Sequence, residues 1–210
     1  MSSSQPVLPA TESQAYTPQN LCSSDWALAL RLLLTPGLGT QSMRKLWRVC
    51  GSLPAIWAQP FDTLAQALGE PLAKALMTDP PEWQAHCQRT NAWLKSAEQG
   101  IAHAVWTWDN KAYPAGLLAL HDAPPVLFAR GQLQRPLGPA LAVVGSRNPT
   151  HQGRENARAF AYKLCAGGHA VVSGMAMGID AAAHQGALQA DRGEHCPTVA
   201  VVGTGLDQVY

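Results

Sequence analysis

LAVVGSR (residues 141–147), AVVSGMAMGID (170–180) and VAVVGTGLD (199–207) decide the fold of this chain. Each opens on a short apolar run and breaks into a glycine-containing loop, and the segments between them carry the apolar period of a helix. Leu141–Val144, Ala170–Val172 and Val199–Val202 read as strands, the first without polar breaks, as in a strand covered on both faces. One helix runs from about Gly153 to Ala166, turns Ala157, Phe160, Ala161, Leu164 and Cys165 inward, and stops at Gly167-Gly168. Another runs from Asp180 to Ala190. Strand and helix in alternation predict an α/β fold, a Rossmann-like parallel sheet built from βαβ units. With its third strand so near Tyr210, the sheet reads as incomplete. A chain with that apolar edge uncovered is expected to be marginally stable, so that a cooperative melt above about 50 °C would contradict the expectation.

Upstream the pattern differs. Ile101–Trp106 and Val126–Ala129 read as short strands, joined through Tyr113-Pro114 and Pro124-Pro125. Before Gly100 the periods are helical: Trp26–Leu34 behind a Ser23-Ser24-Asp25 cap, then a helix with Met43, Leu46, Trp47 and Cys50 on one stripe and Arg44, Lys45 and Arg48 off it. Further helices are expected around Asp62–Leu68 and Glu82–Gln99. Residues 1–24, rich in Ser, Gln, Pro and Thr, read as a loose tail. The predicted organisation is thus a tail over 1–24, a small all-helical domain over 25–100 and the Rossmann-like part over 101–210.

Composition narrows the function classes. A net charge of +1 gives no global field for nucleic acid, so any polyanion site must be local. Five cysteines without a CxxC pair argue against a disulfide framework or a zinc ribbon, and read as buried free thiols. The seven tryptophans are scattered and read as packing residues rather than base-stacking platforms. The amino terminus lacks the pattern of a signal peptide and no run has the length of a membrane span, so a cytoplasmic protein is expected.

Ligands of open parallel sheets sit at the carboxyl ends of the strands. Here those ends hold Gly145-Ser146-Arg147, then Ser173-Gly174 leading through Gly178-Ile179-Asp180, then Gly203-Thr204-Gly205. Glycines let the backbone approach a phosphate, Arg147 supplies a fixed charge with fork geometry, and Ser146 and Ser173 supply hydroxyl donors. Neither a GxGxxG dinucleotide fingerprint nor a P-loop follows the first strand, so no nucleotide cofactor is expected. Asp180 and His184 stand at i and i+4 and suit a helix cap and a hydrogen-bonded loop anchor better than an acid/base pair. No catalytic constellation and no metal site is expected. In the helical part, Pro36-Gly37-Leu38-Gly39 reads either as a tight turn in a small helical domain with a solvated basic face or as a helix-hairpin-helix turn, which would make Gly37, Gly39, Arg44 and Lys45 an auxiliary DNA contact.

VVGSRNPTHQG, VVSGMAMGIDAAAHQGAL and TVAVVGTGLDQVY, in this order, together with the upstream APPVLFARG, resemble the DNA-processing protein A family (DprA, also called Smf) of bacterial natural transformation. The helical part with its PGLG turn is similar to that family's sterile-alpha-motif or hairpin-like module. The resemblance covers about Trp26–Tyr210 and implies a C-terminally truncated member. It implies a non-enzymatic, homodimeric protein that binds incoming single-stranded DNA, protects it and helps load the RecA recombinase. It implies DNA contacts at Gly145, Ser146, Arg147, Ser173, Gly174, Gly178, Ile179, Asp180, His184, Gly203 and Gly205. Two positions depart from the family pattern: Gln152 where a Tyr is common and Met177 where a basic side chain is common. Lysine-decarboxylase-like phosphoribohydrolases share glycine loops of this kind but carry a PGGxGTxxE segment absent from these 210 residues. A third reading makes residues 25–100 a protein-interaction module.

Overall fold

The computed structural model describes residues 24–206 and 208; the expected tail, apart from Ser24, and Cys22 lie outside the described residues. The chain divides into two compact units. One takes in residues through Ala97 together with His103–Phe128, and the other Glu98–Ala102 with the residues from Ala129 onward.

The first unit holds α1 (Asp25–Leu34), α2 (Thr40–Cys50), α3 (Leu53–Trp57), α4 (Phe61–Leu68), α5 (Glu70–Met77), α6 (Trp83–Lys95) and α7 (Ala115–Leu118). β1 (Ala102–Thr107) and β2 (Val126–Gly131) form a two-stranded sheet. Sequence periodicity misses α3 and α5, because each carries a proline in its first turn. There the absent N–H is one the helix would leave unbonded anyway, so the residue that reads as a breaker acts as a starter. Trp108, Tyr113 and Val126 join the core formed by Leu32, Leu46, Leu53, Ile56 and Leu76, which is why the segment from His103 to Phe128 groups with the helices. Asp109 fastens α2 to α3: Trp47 Nε1 and the Leu53 N–H both donate to its carboxylate, each at 2.6 Å. Arg31 is fully buried, 2.9 Å from Asp79 and with its guanidinium carbon 4.3 Å from the Trp57 ring centroid. A buried cation is tolerated here because a carboxylate and aromatic faces replace its water.

In the second unit β3 (Ala140–Ala142), β4 (Ala170–Ser173) and β5 (Thr198–Ala200) form a parallel sheet in that order, with Leu141 beside Val171 and Val171 beside Thr198. α8 (His151–Ala166) and α9 (Ile179–Gln189) connect them. The expected α/β class with a helical amino-terminal part is what the molecule adopts. α8 and α9 pack on each other and on the sheet through Ala161, Cys165, Val171, Ala183 and Ala187, with Val143 joining.

Two burial expectations are corrected. The first strand is not covered on both faces: all three residues of β3 are exposed, and Val144 just beyond it is 69% exposed. Among the described residues β3 is an edge strand, and alternation turns Val143 toward the helices while Ala142 and Val144 point the other way. Phe160, expected inside, is 66% exposed, because the inward stripe of α8 is Ala157, Ala161 and Cys165 at four-residue steps. Val201 is exposed, as expected of that edge, while Val199 and Val202 are half-buried. Cys87 and Cys165 are buried, whereas Cys50 and Cys196 are only half-buried.

Small residues on the stripe let α8 and α9 approach closely, and a Cβ on Gly186 would fall 2.1 Å from the Arg158 carbonyl oxygen. Gly186→Ala gains about 1 kcal/mol of helix propensity, but it forces apart two helices whose contact at this point is backbone on backbone. Overpacking of that kind costs about 1–3 kcal/mol and more when backbone must move. A lower thermal midpoint by circular dichroism is the expected result.

Candidate nucleic-acid interface

The carboxyl ends of β3 and β4 are held together by one buried carboxylate. Asp180, in the first turn of α9 and 6% exposed, accepts from the Gly145 N–H through Oδ1 at 3.3 Å and from the Gly174 N–H through Oδ2 at 3.1 Å. The packing behind these bonds leaves little room for side chains. A Cβ on Gly174 would lie 3.0 Å from Asp180 Oδ2, and one on Gly145 2.8 Å from the Ile179 side chain. Gly178 has φ +92°, and a Cβ there would lie 2.3 Å from the Ser146 carbonyl oxygen and 2.7 Å from that of Arg147. The Ile179 N–H donates to the same Ser146 oxygen at 3.1 Å. Seven residues singled out in the sequence, Gly145, Ser146, Arg147, Gly174, Gly178, Ile179 and Asp180, therefore meet in one cluster.

Their roles divide. Arg147 is exposed, and its guanidinium makes no hydrogen bond or ion pair with any described residue. Ser146 is exposed too, its Oγ accepting from the Asn148 N–H at 3.1 Å. Thr150 caps α8 by accepting from the Gly153 N–H, and the exposed His151 and Arg154 follow in the first turn. Ser173 departs from its expected part as a phosphate donor: it is buried and its hydroxyl donates to the Val143 carbonyl at 2.7 Å. That bond closes β4 against β3 where the ladder ends. Asp180 likewise lies behind the loops.

His184 is an anchor as well. Thr198 donates its hydroxyl to the Val171 carbonyl at 2.7 Å, so at 2.7 Å from His184 Nδ1 it accepts, which puts the imidazole proton on Nδ1. Nε2 is buried with no hydrogen-bond partner among the described residues. Burial holds the imidazole pKa below its ordinary value, and the Asp180 charge opposes this in part. The unfolded chain therefore binds this proton more tightly than the native one. The stabilisation is complete above the unfolded value near 6.5 and is lost as pH falls through it. The thermal midpoint is expected to drop as the pH falls below about 6.5, and His184→Gln to flatten that part of the profile.

The third loop is less constrained. The Val201 N–H donates to the Ser173 carbonyl at 2.9 Å, after which Gly203 and Gly205 are exposed. A Cβ on Gly203 would meet nothing within 4 Å. Two features escape sequence reasoning. Met175 has φ +59°, the one described residue other than glycine with positive φ, and nothing in a Gly-Met-Ala-Met-Gly run marks which position is strained. Arg135 forms two bonds to the Asp191 carboxylate and one to the His195 carbonyl, and the Cys196 N–H donates to the Pro136 carbonyl at 2.9 Å, which ties down the approach to β5.

The PGLG turn belongs to the other unit. Gly37 has φ +76°, Leu38 is buried, and Gly39 is the N-cap of α2. Lys45 is exposed, but Arg44 contradicts its expected place on a solvated face. It is 5% exposed, with its guanidinium carbon 5.1 Å from the Trp47 ring and 5.3 Å from the Trp108 ring, and it donates to the Leu118 carbonyl. Burial and, after it, the Arg48 charge push its pKa down. The stem of Arg44 runs inward between indoles, a partner set that no local period reveals. Among the described residues no group of His, Cys, Asp and Glu has the arrangement of a metal site, and no helix is long and apolar enough to cross a membrane.

Residues 104–210 match the family model described as DNA recombination-mediator protein A. The chain is 36% identical over 118 residues to protein Smf of Escherichia coli and 44% identical over 98 residues to DNA processing protein DprA of Streptococcus pneumoniae. These matches take in 56% and 47% of this chain but only 29% and 33% of the relatives, so it matches about a third of their length or less. The X-ray structure of DNA processing protein A from Streptococcus pneumoniae is similar over 88% of this chain and 60% of that one, with a TM-score of 0.63 and 26% identity. The glycine loops, their spacing along one sheet edge and a family match over half of the chain agree, and the chain belongs to the DNA recombination-mediator protein A family.

Proposed function

We propose that the chain binds single-stranded DNA along the carboxyl edge of its parallel sheet, as a binding protein and not as an enzyme. The observation that carries this reading is Arg147, an exposed and unpaired guanidinium on a loop whose backbone Asp180, Gly178 and Ile179 hold in place. Around it the N–H groups of Ser146, Arg147, Met175, Ala176, Met177 and Gly178 find no acceptor among the described residues. Consecutive unpaired N–H groups beside a left-handed residue form a concavity suited to phosphate oxygens, and the amino ends of α8 and α9 add partial positive charge. Gly145, Ser146, Gly178 and Ile179 shape this cradle; Gly203 and Gly205 extend it. Ser173, Gly174, Asp180 and His184 support it from behind. Gly37, Gly39 and Lys45 remain the auxiliary contact in the first unit.

The role that goes with this site is protection of incoming DNA in natural transformation and its delivery to the RecA recombinase, with a homodimer as the working form in the cytoplasm. Fluorescence anisotropy with labelled single-stranded and duplex oligonucleotides, over a series of salt concentrations, tests the binding step. Tighter single-strand binding is expected, with log affinity falling linearly in log salt by about 0.7 per phosphate neutralised. Duplex binding as tight as single-strand binding would count against the reading.

A further inference from the structure

The β4–α9 loop carries more than backbone donors. Met177 is 76% exposed and Met175 42% exposed, two large apolar side chains open to solvent within a single loop. Neither belongs to a core cluster. Met175 is also held at φ +59°, a left-handed conformation that a residue with a Cβ adopts at the expense of strain. Strain of this kind persists where the surroundings over-determine a geometry, and here they do. Gly174 on one side is tied to Asp180, and Gly178 on the other is pressed against the Ser146 and Arg147 carbonyls. The two methionines are thus fixed beside the guanidinium-bearing loop, with Met177 next in sequence to the glycine that touches the Arg147 backbone.

A polynucleotide strand that lays its phosphates on this cradle has unstacked bases within side-chain reach. Methionine suits such a neighbour: it is unbranched, adapts its shape, and its sulfur contacts aromatic rings favourably whatever the base. We infer that Met175 and Met177 form an apolar contact for unpaired nucleobases, set beside the loops that hold the phosphates. This rests on the reading of the sheet edge as a single-stranded DNA site and adds to it a source of strand selectivity. Bases stacked inside a duplex do not present their faces to such a contact.

The test uses the full 210-residue chain with a thymidine oligonucleotide and an abasic oligonucleotide of equal length and charge. Met177→Ala removes an exposed side chain, so the fold is untouched, and Met175→Ala keeps the same backbone demand. Each is expected to weaken binding of the thymidine strand about three- to tenfold. Binding of the abasic strand should be unchanged, and so should the salt dependence of both, because no phosphate contact is lost. Equal loss on the two strands, or no loss on either, overturns the inference while leaving the DNA site standing. Failure of the unmodified chain to bind both strands overturns the site itself and the inference with it.

Discussion

Arg147→Ala is expected to weaken binding of single-stranded DNA about 10- to 100-fold, the loss of one charge-assisted hydrogen-bonded contact. The loss should be the same for all sequences, since a phosphate contact carries no base information. It should be accompanied by a shallower salt dependence, by about 0.7 in the log–log slope for each phosphate no longer neutralised. Because the side chain is exposed and touches no described partner, the thermal midpoint should not move. A surface substitution of this kind stays within about 0.5 kcal/mol. Arg147→Lys separates charge from shape: the lysine keeps most of the salt slope but loses the planar fork, and affinity should fall between the two. Anisotropy titrations of the three proteins at several salt concentrations read all of this. Unchanged affinity and slope in Arg147→Ala would remove this residue from the site.

Asp180→Ala is expected to produce the opposite pattern, a loss of stability at a carboxylate that faces two strand ends instead of water. Its carboxylate is the acceptor for two N–H groups at the ends of different strands. Removing it leaves the half-buried Gly174 N–H without its acceptor, at about 1–3 kcal/mol, while the N–H of the exposed Gly145 can turn to water at smaller cost. The total, about 1–3 kcal/mol, is a sizeable share of what a domain of this size commands. It corresponds to a midpoint lower by about 5 °C or more. Asp180→Asn retains one carbonyl oxygen but turns an amide N–H toward the second donor, so about half of the loss should remain. Hydrogen exchange provides the site-specific readout: the Gly145 and Gly174 amides should exchange faster in both variants, and amides of α2 in the other unit should not. Retention of the unmodified midpoint in Asp180→Ala would show that the loops hold their shape without the carboxylate.

Much of this molecule follows from local sequence. Strands and helices of the second unit announce themselves because the two periods and the glycine breaks are encoded within a few residues of where they act. The place of the candidate site was legible for the same reason: a strand that ends in a glycine loop marks its own carboxyl end. The helices led by Pro54 and Pro71 were not legible, since proline reads alike as a starter and a breaker until the turn before it is known.

What each polar residue does at that edge was decided only in three dimensions. Ser146 and Ser173 read as equivalent hydroxyls on successive loops, yet one is exposed and the other spends its proton on the Val143 carbonyl, 30 residues away. Asp180 and Arg147 read as members of one motif set, yet the carboxylate faces inward to two strand ends while the guanidinium faces water. Arg44 sits off the apolar stripe of its helix, but Trp47 and Trp108 draw it into the core. The cause is common to all three. A periodic pattern sets where a backbone goes, whereas a side chain's direction is set by the donors, acceptors and ring faces that distant segments bring to it.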